Sequence, residues 1–311
     1  MLNDALWYRR FGQPAEALTL EAATLPDLSP GAVRVRMTAA PVNPSDLIPI
    51  TGAYSHRIQP PLVAGYEGVG TVVSAEGAEA ALIGRRVLPL RGAGTWQRYV
   101  DCDPAWMVPA PDDVDTGLAA RGYINPLAAM LMLRRWPVRD RRVLVTAAGS
   151  SCANLLGQWA LGAGASEVIG IYRSPQHHEW LLRLGVTPVA MSGDVEAAAS
   201  RVDVAFDAVG GTLATRILAA MAPAGDFVSY GLLSGQGFAR SAHGPPPQRF
   251  HLRDRLEDVS LAVWRGWFDD LWPLLGQAWL PEARYFALAE WREALALFET
   301  SGRQVKPMLA L

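Results

Sequence analysis

The sequence has few cysteines and almost no lysine. Cys102 and Cys152 are the only cysteines among 311 residues, too few for a disulfide framework and consistent with a reducing cytoplasm. We expect each of them to be a small buried hydrophobic residue. Lysine occurs once, at Lys306, although 28 residues are lysine or arginine. Coding bias explains this imbalance more simply than a phosphate-binding face does.

The chain also lacks an excess of one charge and a long apolar run. Its net charge is −2, which gives no support for binding to nucleic acid or to a membrane surface. No stretch reaches 18 uninterrupted apolar residues, and the N-terminal sequence MLNDALWYRRFG lacks the apolar core of a signal peptide. Half of the residues are apolar. We therefore expect a soluble cytoplasmic protein that is long enough for two domains or for one large domain.

Residues 141–164 predict a strand, a tight turn and a helix. Val143, Leu144 and Val145 form the short apolar run of a strand buried on both faces of a parallel sheet. Small residues follow, and a helical apolar spacing then runs from Leu155 to Leu161. Such a unit presents backbone N–H groups and the positive end of a helix to a pyrophosphate.

The glycines of a dinucleotide-binding fingerprint are mostly absent from this turn. Where G-x-G-x-x-G is expected, the chain has Ala148, Ser150 and Ala153. Alanine is an accepted variant at the third position, but a Cβ at the second is expected to push the backbone away from the phosphates. The hydroxyls of Ser150 and Ser151 can return hydrogen bonds. Taken alone, the turn is equally compatible with an ordinary loop of an α/β domain.

The first hundred residues are predicted to be rich in strands. Val33, Val35 and Met37 alternate with polar residues and predict a half-buried strand over 33–38. The glycines and β-branched residues of 61–77 are typical of bent strands in a small barrel. Further strand candidates cover 82–90 and 96–100. Prolines between 41 and 61 predict loops rather than long helices.

Beyond Pro111 the pattern predicts alternating strands and helices. Helical segments over 115–132 are expected to break at Pro126. Predicted strands cover 143–146, 168–172, 202–208, 226–231 and 258–263, and predicted helices cover 152–163, 176–184 and 212–221. Such repeated βα units imply a parallel, doubly wound sheet. After these units we predict an irregular loop at 243–248, a short helix near 267–277 and an amphipathic helix over 289–300. A final strand is expected to return to the N-terminal β domain.

Several motifs, in this order along the chain, resemble one protein family. They are VNPSDL (42–47), PPLVAGYEGVGTVV (60–73), GTWQRYV (94–100), QWA (158–160), VDVAFDAVGG (202–211) and GDFVSYG (225–231). The chain resembles the zinc-independent branch of the medium-chain dehydrogenases/reductases, which contains quinone oxidoreductases and 2-enoyl thioester reductases. The resemblance implies an α/β protein: a GroES-like β-barrel catalytic domain, residues 1–114 and 265–311, with an inserted Rossmann domain, residues 115–264. It also implies an active site in the cleft between the two domains.

No metal site is expected. Zinc-dependent relatives offer a cysteine, a Gly-His-Glu run and a four-cysteine lobe. The corresponding positions here carry Asn43 and Gly65-Tyr66-Glu67, and two cysteines cannot build a four-cysteine site.

The resemblance also assigns roles in catalysis to individual residues. Tyr54 resembles the tyrosine that protonates the α-carbon of the reduced thioester, and a loop tyrosine packed on its neighbours is the alternative. Asn43 resembles the asparagine beside the nicotinamide ribose or amide, and an Asx turn is its alternative. Trp96 and Trp264 are candidates for the acyl pocket or else core residues. Asn125 is expected to face the cofactor or to cap a helix.

The cofactor is predicted to be NADPH. An acidic residue at the end of the second Rossmann strand is typical of NAD sites, and the segment between Glu167 and Glu179 has none. Arg173 is the best candidate to bind a 2′-phosphate, unless it is only a solvated loop residue. The remaining predicted cofactor contacts are Tyr172, Ser174, Gly149, Ser150, Ser151, Cys152, Ala153, Gly210 and Gly231.

The leading hypothesis is an NADPH-dependent reductase of an activated C=C bond, most like a trans-2-enoyl-CoA or enoyl-ACP reductase, with hydride added to Cβ and a proton from Tyr54 to Cα. One alternative is an NADPH:quinone oxidoreductase. Another is a non-catalytic, cofactor-sensing relative, which the altered turn at Ala148 motivates. The resemblance further implies a homodimer, with an edge strand expected within 225–235.

Overall fold

The computed structural model describes residues 2–311, which form two compact units. Unit 1 runs from the N-terminus to Ile124 and resumes over Ser260–Gly276 and Glu282–Leu311. Unit 2 comprises Asn125–Val259 and Gln277–Pro281. The main divisions fall at 124/125 and 259/260, whereas the sequence prediction placed them at 114/115 and 264/265. Within residues 2–311, no helix combines the length and the hydropathy of a membrane-spanning segment.

Unit 1 contains two β-sheets. One has the strand order β2-β1-β4, and the other has the order β15-β16-β3-β5-β6-β8, with β7 paired to β3. The strands are β1 (Leu2–Tyr8), β2 (Leu18–Thr24), β3 (Val33–Pro41), β4 (Leu62–Val63), β5 (Val69–Ala75), β6 (Arg86–Leu88), β7 (Tyr99–Cys102), β8 (Val108–Pro109), β15 (Glu282–Ala287) and β16 (Val305–Ala310). The helices are α1 (Pro14–Ala17), α2 (Pro44–Leu47), α3 (Thr116–Ala119), α9 (Leu261–Gly276) and α10 (Trp291–Glu299).

Strand β3 organises the larger sheet of unit 1. Its alternating residues Val33, Val35 and Met37 are buried, as their spacing predicts. The register of β3 against β5 shifts twice, which lets both strands bend as the glycine-rich sequence indicates. The final strand β16 pairs antiparallel with β3, so the predicted return of the C-terminus to the N-terminal β domain is confirmed.

Unit 2 is built on a parallel six-stranded sheet with the order β11-β10-β9-β12-β13-β14. Its strands are β9 (Arg142–Val145), β10 (Glu167–Tyr172), β11 (Thr187–Ala190), β12 (Val204–Asp207), β13 (Asp226–Ser229) and β14 (Pro247–Arg249). Its helices are α5 (Ser151–Gly162), α6 (His178–Arg183), α7 (Val195–Ala199) and α8 (Gly211–Ala220), together with α4 (Ile124–Arg135), which begins at the last residue of unit 1. The chain order reverses between β9 and β12. In parallel α/β sheets such a switch point is where nucleotides bind.

Three local predictions were wrong. Residues 258–263 are not a strand, because helix α9 begins at Leu261; it is also longer than the helix predicted near 267–277. Pro126 does not interrupt a helix. It lies in the first turn of α4, where the backbone N–H has no partner within the helix and proline is tolerated.

The strand expected to form a sheet edge does not do so. Strand β13 pairs with β12 on one side and with β14 on the other. Part of the loop predicted at 243–248 becomes β14, whose first residue is Pro247. Proline is compatible with an edge strand because it removes only one hydrogen-bond donor.

Candidate functional site

The turn between β9 and α5 is tightly folded, although alanine replaces glycine. Ala147 has φ +49° and so occupies the left-handed region. The backbone N–H of Ser150 donates to the carbonyl of Ala147 at 2.7 Å. Ser150 is the N-cap of α5, and its Oγ accepts from the N–H of Ala153 at 3.4 Å. Gly149, Ser151 and Cys152 belong to the same turn and first helical residues.

The close packing that a fingerprint glycine would provide comes from the neighbouring strand. A Cβ on Gly170 of β10 would lie 2.9 Å from the Cβ of Ala148. Ala148 is buried, and its N–H donates to Ile171 at 3.0 Å. The side chain of Ala148 therefore fits because residue 170 has none.

His177 lies against this turn and was missed by the sequence analysis. A Cβ on Gly149 would be within 2.6 Å of three atoms of the His177 imidazole. His177 ends a short 3₁₀ segment, Pro175–His177, that follows β10. The paired histidines 177 and 178 just after a strand were the available sequence signal.

The three residues predicted to recognise a 2′-phosphate lie together at the end of β10. The hydroxyl of Tyr172 and Nδ1 of His178 are hydrogen-bonded at 3.0 Å, with the rings edge to face. Arg173 is exposed at this end of the strand, and Ser174 is buried. The cluster presents cationic and neutral hydrogen-bonding groups without a carboxylate.

Asp207 shapes the loop after β12, and the sequence analysis did not select it. It is fully buried, and its Oδ1 accepts from the Thr146 hydroxyl at 2.7 Å, while Oδ2 accepts from the N–H of Gly210 at 2.8 Å. Gly210 has φ +72°, where glycine is favoured. A Cβ on Gly231 would lie 2.8 Å from the carbonyl oxygen of Ala208, so this site also requires glycine.

Cys152 and Asn125 contact each other near the start of α5. The thiol of Cys152 donates to the carbonyl of Asn125 at 3.7 Å. Burial raises the pKa of Cys152 to about 12. The thiol is therefore protonated near neutral pH, when it is not a nucleophile. Asn125 is the second residue of α4 rather than its N-cap.

Unit 1 contains a buried polar cluster, formed by Asn43, Asp46, Glu67 and Lys306. Nδ2 of Asn43 donates to Oε1 of Glu67 at 2.7 Å, and Nζ of Lys306 donates to Oδ1 of Asn43 at 2.5 Å. Asp46 accepts from the N–H groups of Asn43 and Tyr66, each at 2.8 Å. All four side chains are at most 5% exposed.

The electrostatics of this cluster follow from burial. Desolvation and the charge of Glu67 raise the pKa of Asp46 to about 7, against two hydrogen bonds from backbone N–H groups. Desolvation lowers the pKa of Lys306 to about 8, although Glu67 and Asp46 favour its charged form. Burial also raises the pKa of Glu67. Two acids and one ammonium thus share a buried site.

Tyr54 lies on the segment that follows this cluster. Helix α2 and a 3₁₀ turn at Ile48–Thr51 lead from Asn43 to a series of turns around Tyr54. Its carbonyl accepts from the N–H groups of Arg57 and Ile58 at 2.8 and 3.1 Å. The side chain is half-buried, and its ring meets that of His56 edge to face.

Trp96 and Trp264 occupy the interior of unit 1 rather than a pocket wall. They are 1% and 0% exposed. Nε1 of Trp96 donates to the carbonyl of Pro41, and that of Trp264 donates to the carbonyl of Trp106, each at 3.2 Å. Trp264 also packs against Tyr123 and Phe268. Core packing, the alternative considered for both, is the role that these contacts support.

The donor groups at the positions of the family's zinc ligands do not fit a metal ion. Glu67 accepts from Asn43 and from the N–H groups of Tyr123 and Ile124, at 3.0 and 2.7 Å. Within residues 2–311, no group of three or more His, Cys, Asp and Glu side chains is arranged to hold a metal.

The parallel sheet and its switch point give unit 2 the architecture of a Rossmann domain. Comparison with known families agrees. The alcohol dehydrogenase GroES-like domain matches residues 29–112, and the family described as zinc-binding dehydrogenase matches residues 153–252.

Individual relatives are consistent with these matches. A mitochondrial enoyl-[acyl-carrier-protein] reductase from Bos taurus is 31% identical over 248 residues, which are 75% of this chain and 66% of that protein. A provisionally assigned NADPH:quinone reductase from Bacillus thuringiensis is 33% identical, with a TM-score of 0.89 over 100% of this chain and 99% of the other. The complex of the Candida tropicalis 2-enoyl thioester reductase Etr1p with NADP and crotonyl-CoA shares the fold at 18% identity, with a TM-score of 0.84 over the whole of both chains.

The chain belongs to the medium-chain dehydrogenase/reductase superfamily. Its relatives in this superfamily include enoyl reductases and NADPH:quinone reductases, and the predicted combination of a GroES-like domain with a Rossmann domain is confirmed.

Proposed function

We propose that this protein is an NADPH-dependent reductase of an activated C=C bond, most like a 2-enoyl thioester reductase. The observation that carries the proposal is the match to enoyl-[acyl-carrier-protein] reductases, 31% identical over three quarters of the chain. The matched part spans about two thirds of the bovine relative's length. The reductase activity therefore has to be tested on this chain itself.

The residues of unit 2 fit an NADPH molecule. The first N–H groups of α5 and the hydroxyl of Ser150 would bind the pyrophosphate at the positive helix end. Gly210 and Gly231 let the loop after β12 pack closely on its neighbours, since a Cβ at these positions would meet the carbonyl oxygens of Gln236 and Ala208. Arg173, Ser174 and Tyr172 would bind the 2′-phosphate, and the position of His177 against Gly149 adds it to the proposed contacts.

NADPH supplies a hydride when bound. The phenol of Tyr54 would donate the proton that completes reduction at Cα of the acceptor. A neutral phenol is suited to this role because it can donate a hydrogen bond to a developing enolate before it transfers the proton. Asn43 would orient the nicotinamide end, with its own amide held in place by Lys306 and Glu67.

A quinone reductase is the second candidate, and the Bacillus thuringiensis protein favours it by its 33% identity over the full chain. NADPH consumption with crotonyl-CoA and with 1,4-benzoquinone separates the two. We expect crotonyl-CoA to have the higher kcat/KM. Turnover of benzoquinone alone would favour the second candidate.

A non-catalytic, cofactor-sensing relative is the third possibility, motivated by the alanines in the turn before α5. Titration of the protein into NADPH, followed by nicotinamide fluorescence, tests it. We expect saturable binding, and its absence at millimolar cofactor would contradict the reductase proposal.

We also propose a homodimer, which is tested by light scattering coupled to gel filtration. A mass near 67 kDa, about twice the 33.6 kDa of the chain, is the expected result. A mass near that of one chain would contradict it.

A further inference from the structure

The single lysine of the chain lies inside unit 1. Lys306 is 5% exposed and lies on β16. The N–H of Val42 donates to the carbonyl of Pro307 at 3.1 Å, which brings the lysine beside Asn43. The arginines of the chain occupy exposed and part-buried positions. The one site that retains lysine is thus a buried site next to a candidate catalytic residue.

The contacts with Lys306 and Glu67 favour a single orientation of the Asn43 amide. Oδ1 accepts from the ammonium, and Nδ2 donates to the carboxylate of Glu67. Rotating the amide by 180° would place its N–H groups against the ammonium and its oxygen against the carboxylate. Both contacts would then be repulsive, so the two ions together select the observed orientation.

The two carboxylates of the cluster are themselves fixed by backbone donors. Glu67 accepts from Tyr123 and Ile124, and Asp46 accepts from Asn43 and Tyr66. The cluster therefore joins the segment before α2, the segment after β4, the start of α4 and the last strand. The cation that contacts Asn43 within this cluster is Lys306.

An arginine would not reproduce this contact. Guanidinium is a planar group with five donors in a fixed fork, whereas an ammonium is a compact charge on a flexible stem. Lys306 makes its bond to one amide oxygen at 2.5 Å in an enclosed site. A larger cation there would leave N–H groups without acceptors, which is costly in a buried site.

We propose that Lys306 is a positioning residue, whose ammonium fixes the Asn43 amide in the orientation needed for the reduction. The part that concerns reduction rests on the proposed function. The contact between Lys306 and Asn43 does not, and it can be tested in the absence of turnover.

The first test uses the fact that the chain has one lysine. Protein labelled with ¹³C-lysine gives a single side-chain Cε signal, whose pH titration reports Lys306 directly. The charged groups that face it are Glu67, Asp46, Arg121 and Arg303. We expect Asn43→Ala and Glu67→Gln to shift this signal, and Arg173→Ala to leave it unchanged. A signal that does not respond to Asn43→Ala would overturn the proposal whether or not the protein reduces any acceptor.

The second test separates positioning from folding. Lys306→Met removes the charge and retains the apolar stem, and we expect kcat with crotonyl-CoA to fall about 10- to 100-fold, the loss of one charge-assisted hydrogen bond, while KM stays within about threefold. The variant also leaves two buried carboxylates without the ammonium. Its stability is therefore expected to fall.

The double variant Lys306→Met/Asp46→Asn removes the ammonium together with one of the two buried acids, so Glu67 is the one acid of the cluster left without that cation. We expect its thermal midpoint to recover part of the loss, while kcat stays low because the Asn43 oxygen still lacks its donor. Recovery of kcat together with stability would reduce Lys306 to a structural role. Full activity of Lys306→Arg would equally contradict the proposal.

Discussion

The backbone of Ala147 adopts a left-handed conformation that L-residues rarely take, at φ +49°. Such a conformation costs on the order of 1 kcal/mol for a residue with a Cβ. The next residue, Ala148, is accommodated by Gly170 in the neighbouring strand. This turn thus accommodates two adjacent alanines. Ala147 adopts the left-handed conformation itself, and the absence of a side chain at Gly170 leaves room for the Cβ of Ala148.

Tyr54→Phe tests the proton donor. Removal of the hydroxyl leaves the ring and its packing against His56 in place. If Tyr54 is the general acid, we expect kcat with crotonyl-CoA to fall by about 100-fold or more. The affinity for NADPH, measured by fluorescence titration, should not change. Unchanged turnover would remove Tyr54 from the mechanism.

Arg173→Ala tests recognition of the 2′-phosphate. Loss of a charge-assisted contact is expected to weaken NADPH binding by about 10- to 100-fold. NADH, which lacks the phosphate, should bind equally well to the variant and to the original protein. Arg183→Ala is the matched control, since Arg183 lies on the next helix and stacks on Trp180. Equal losses for both cofactors would show that Arg173 acts in some other way.

At the scale of elements, the turn and helix α5 form one unit whose contacts are set by neighbouring segments. Gly157 of this helix faces Val186, and Gly149 of the turn faces His177. The sequence pattern predicted both the strand and the helix within a residue or two. It did not predict the 3₁₀ segment that brings His177 onto the turn, because the contact depends on the end of another strand.

Gly149→Ala tests this contact. Its new Cβ would overlap the His177 imidazole, a group that can rotate, so we expect displacement of the ring and weaker NADPH binding, with only a small change in the thermal midpoint. The control is Gly162→Ala at the end of helix α5, where no atom lies within 4 Å of the added Cβ. It should keep NADPH affinity and be neutral or slightly stabilising. Equal affinities for the two variants would argue against a role for His177.

At the scale of the whole molecule, the buried cluster of unit 1 contributes a pH dependence to folding. Between about pH 4 and pH 7 the folded protein holds a proton on Asp46 that the unfolded chain releases, because its pKa rises from 3.8 to about 7. The contribution of Asp46 to stability therefore decreases as pH rises through this range, by up to about 1.4 kcal/mol per pH unit. Between about pH 8 and pH 10.5, the lowered pKa of Lys306 has the opposite effect, and stability increases with pH.

This dependence is measured by urea denaturation across pH 4–10. Other acids add their own slopes, so the informative quantity is the difference between the original protein and Asp46→Asn. We expect the variant to lack the decrease that Asp46 contributes below pH 7. A difference that stays constant over this interval would mean that Asp46 is ionised in the folded protein throughout.

Much of this protein was determined by local sequence. The apolar run at 143–145, the alternation at 33–37 and the order of the motifs were sufficient for the fold class, the strands β9, β10, β12 and β13, and the residues at the end of β10. These features follow from periodicity and from neighbours along the chain. The helix start at Leu261 and the strand β14 could not be predicted in this way, because packing partners distant in sequence decide them.

Lys306 illustrates the difference most clearly. In the sequence it is a rare residue near the C-terminus, with coding bias as a sufficient explanation. Only the pairing of β16 with β3 brings it to Asn43, and only burial makes the contact consequential, since an ion that has lost its water must be matched by groups supplied by the fold. Composition determined that there would be one lysine, and the tertiary structure decided what it contacts.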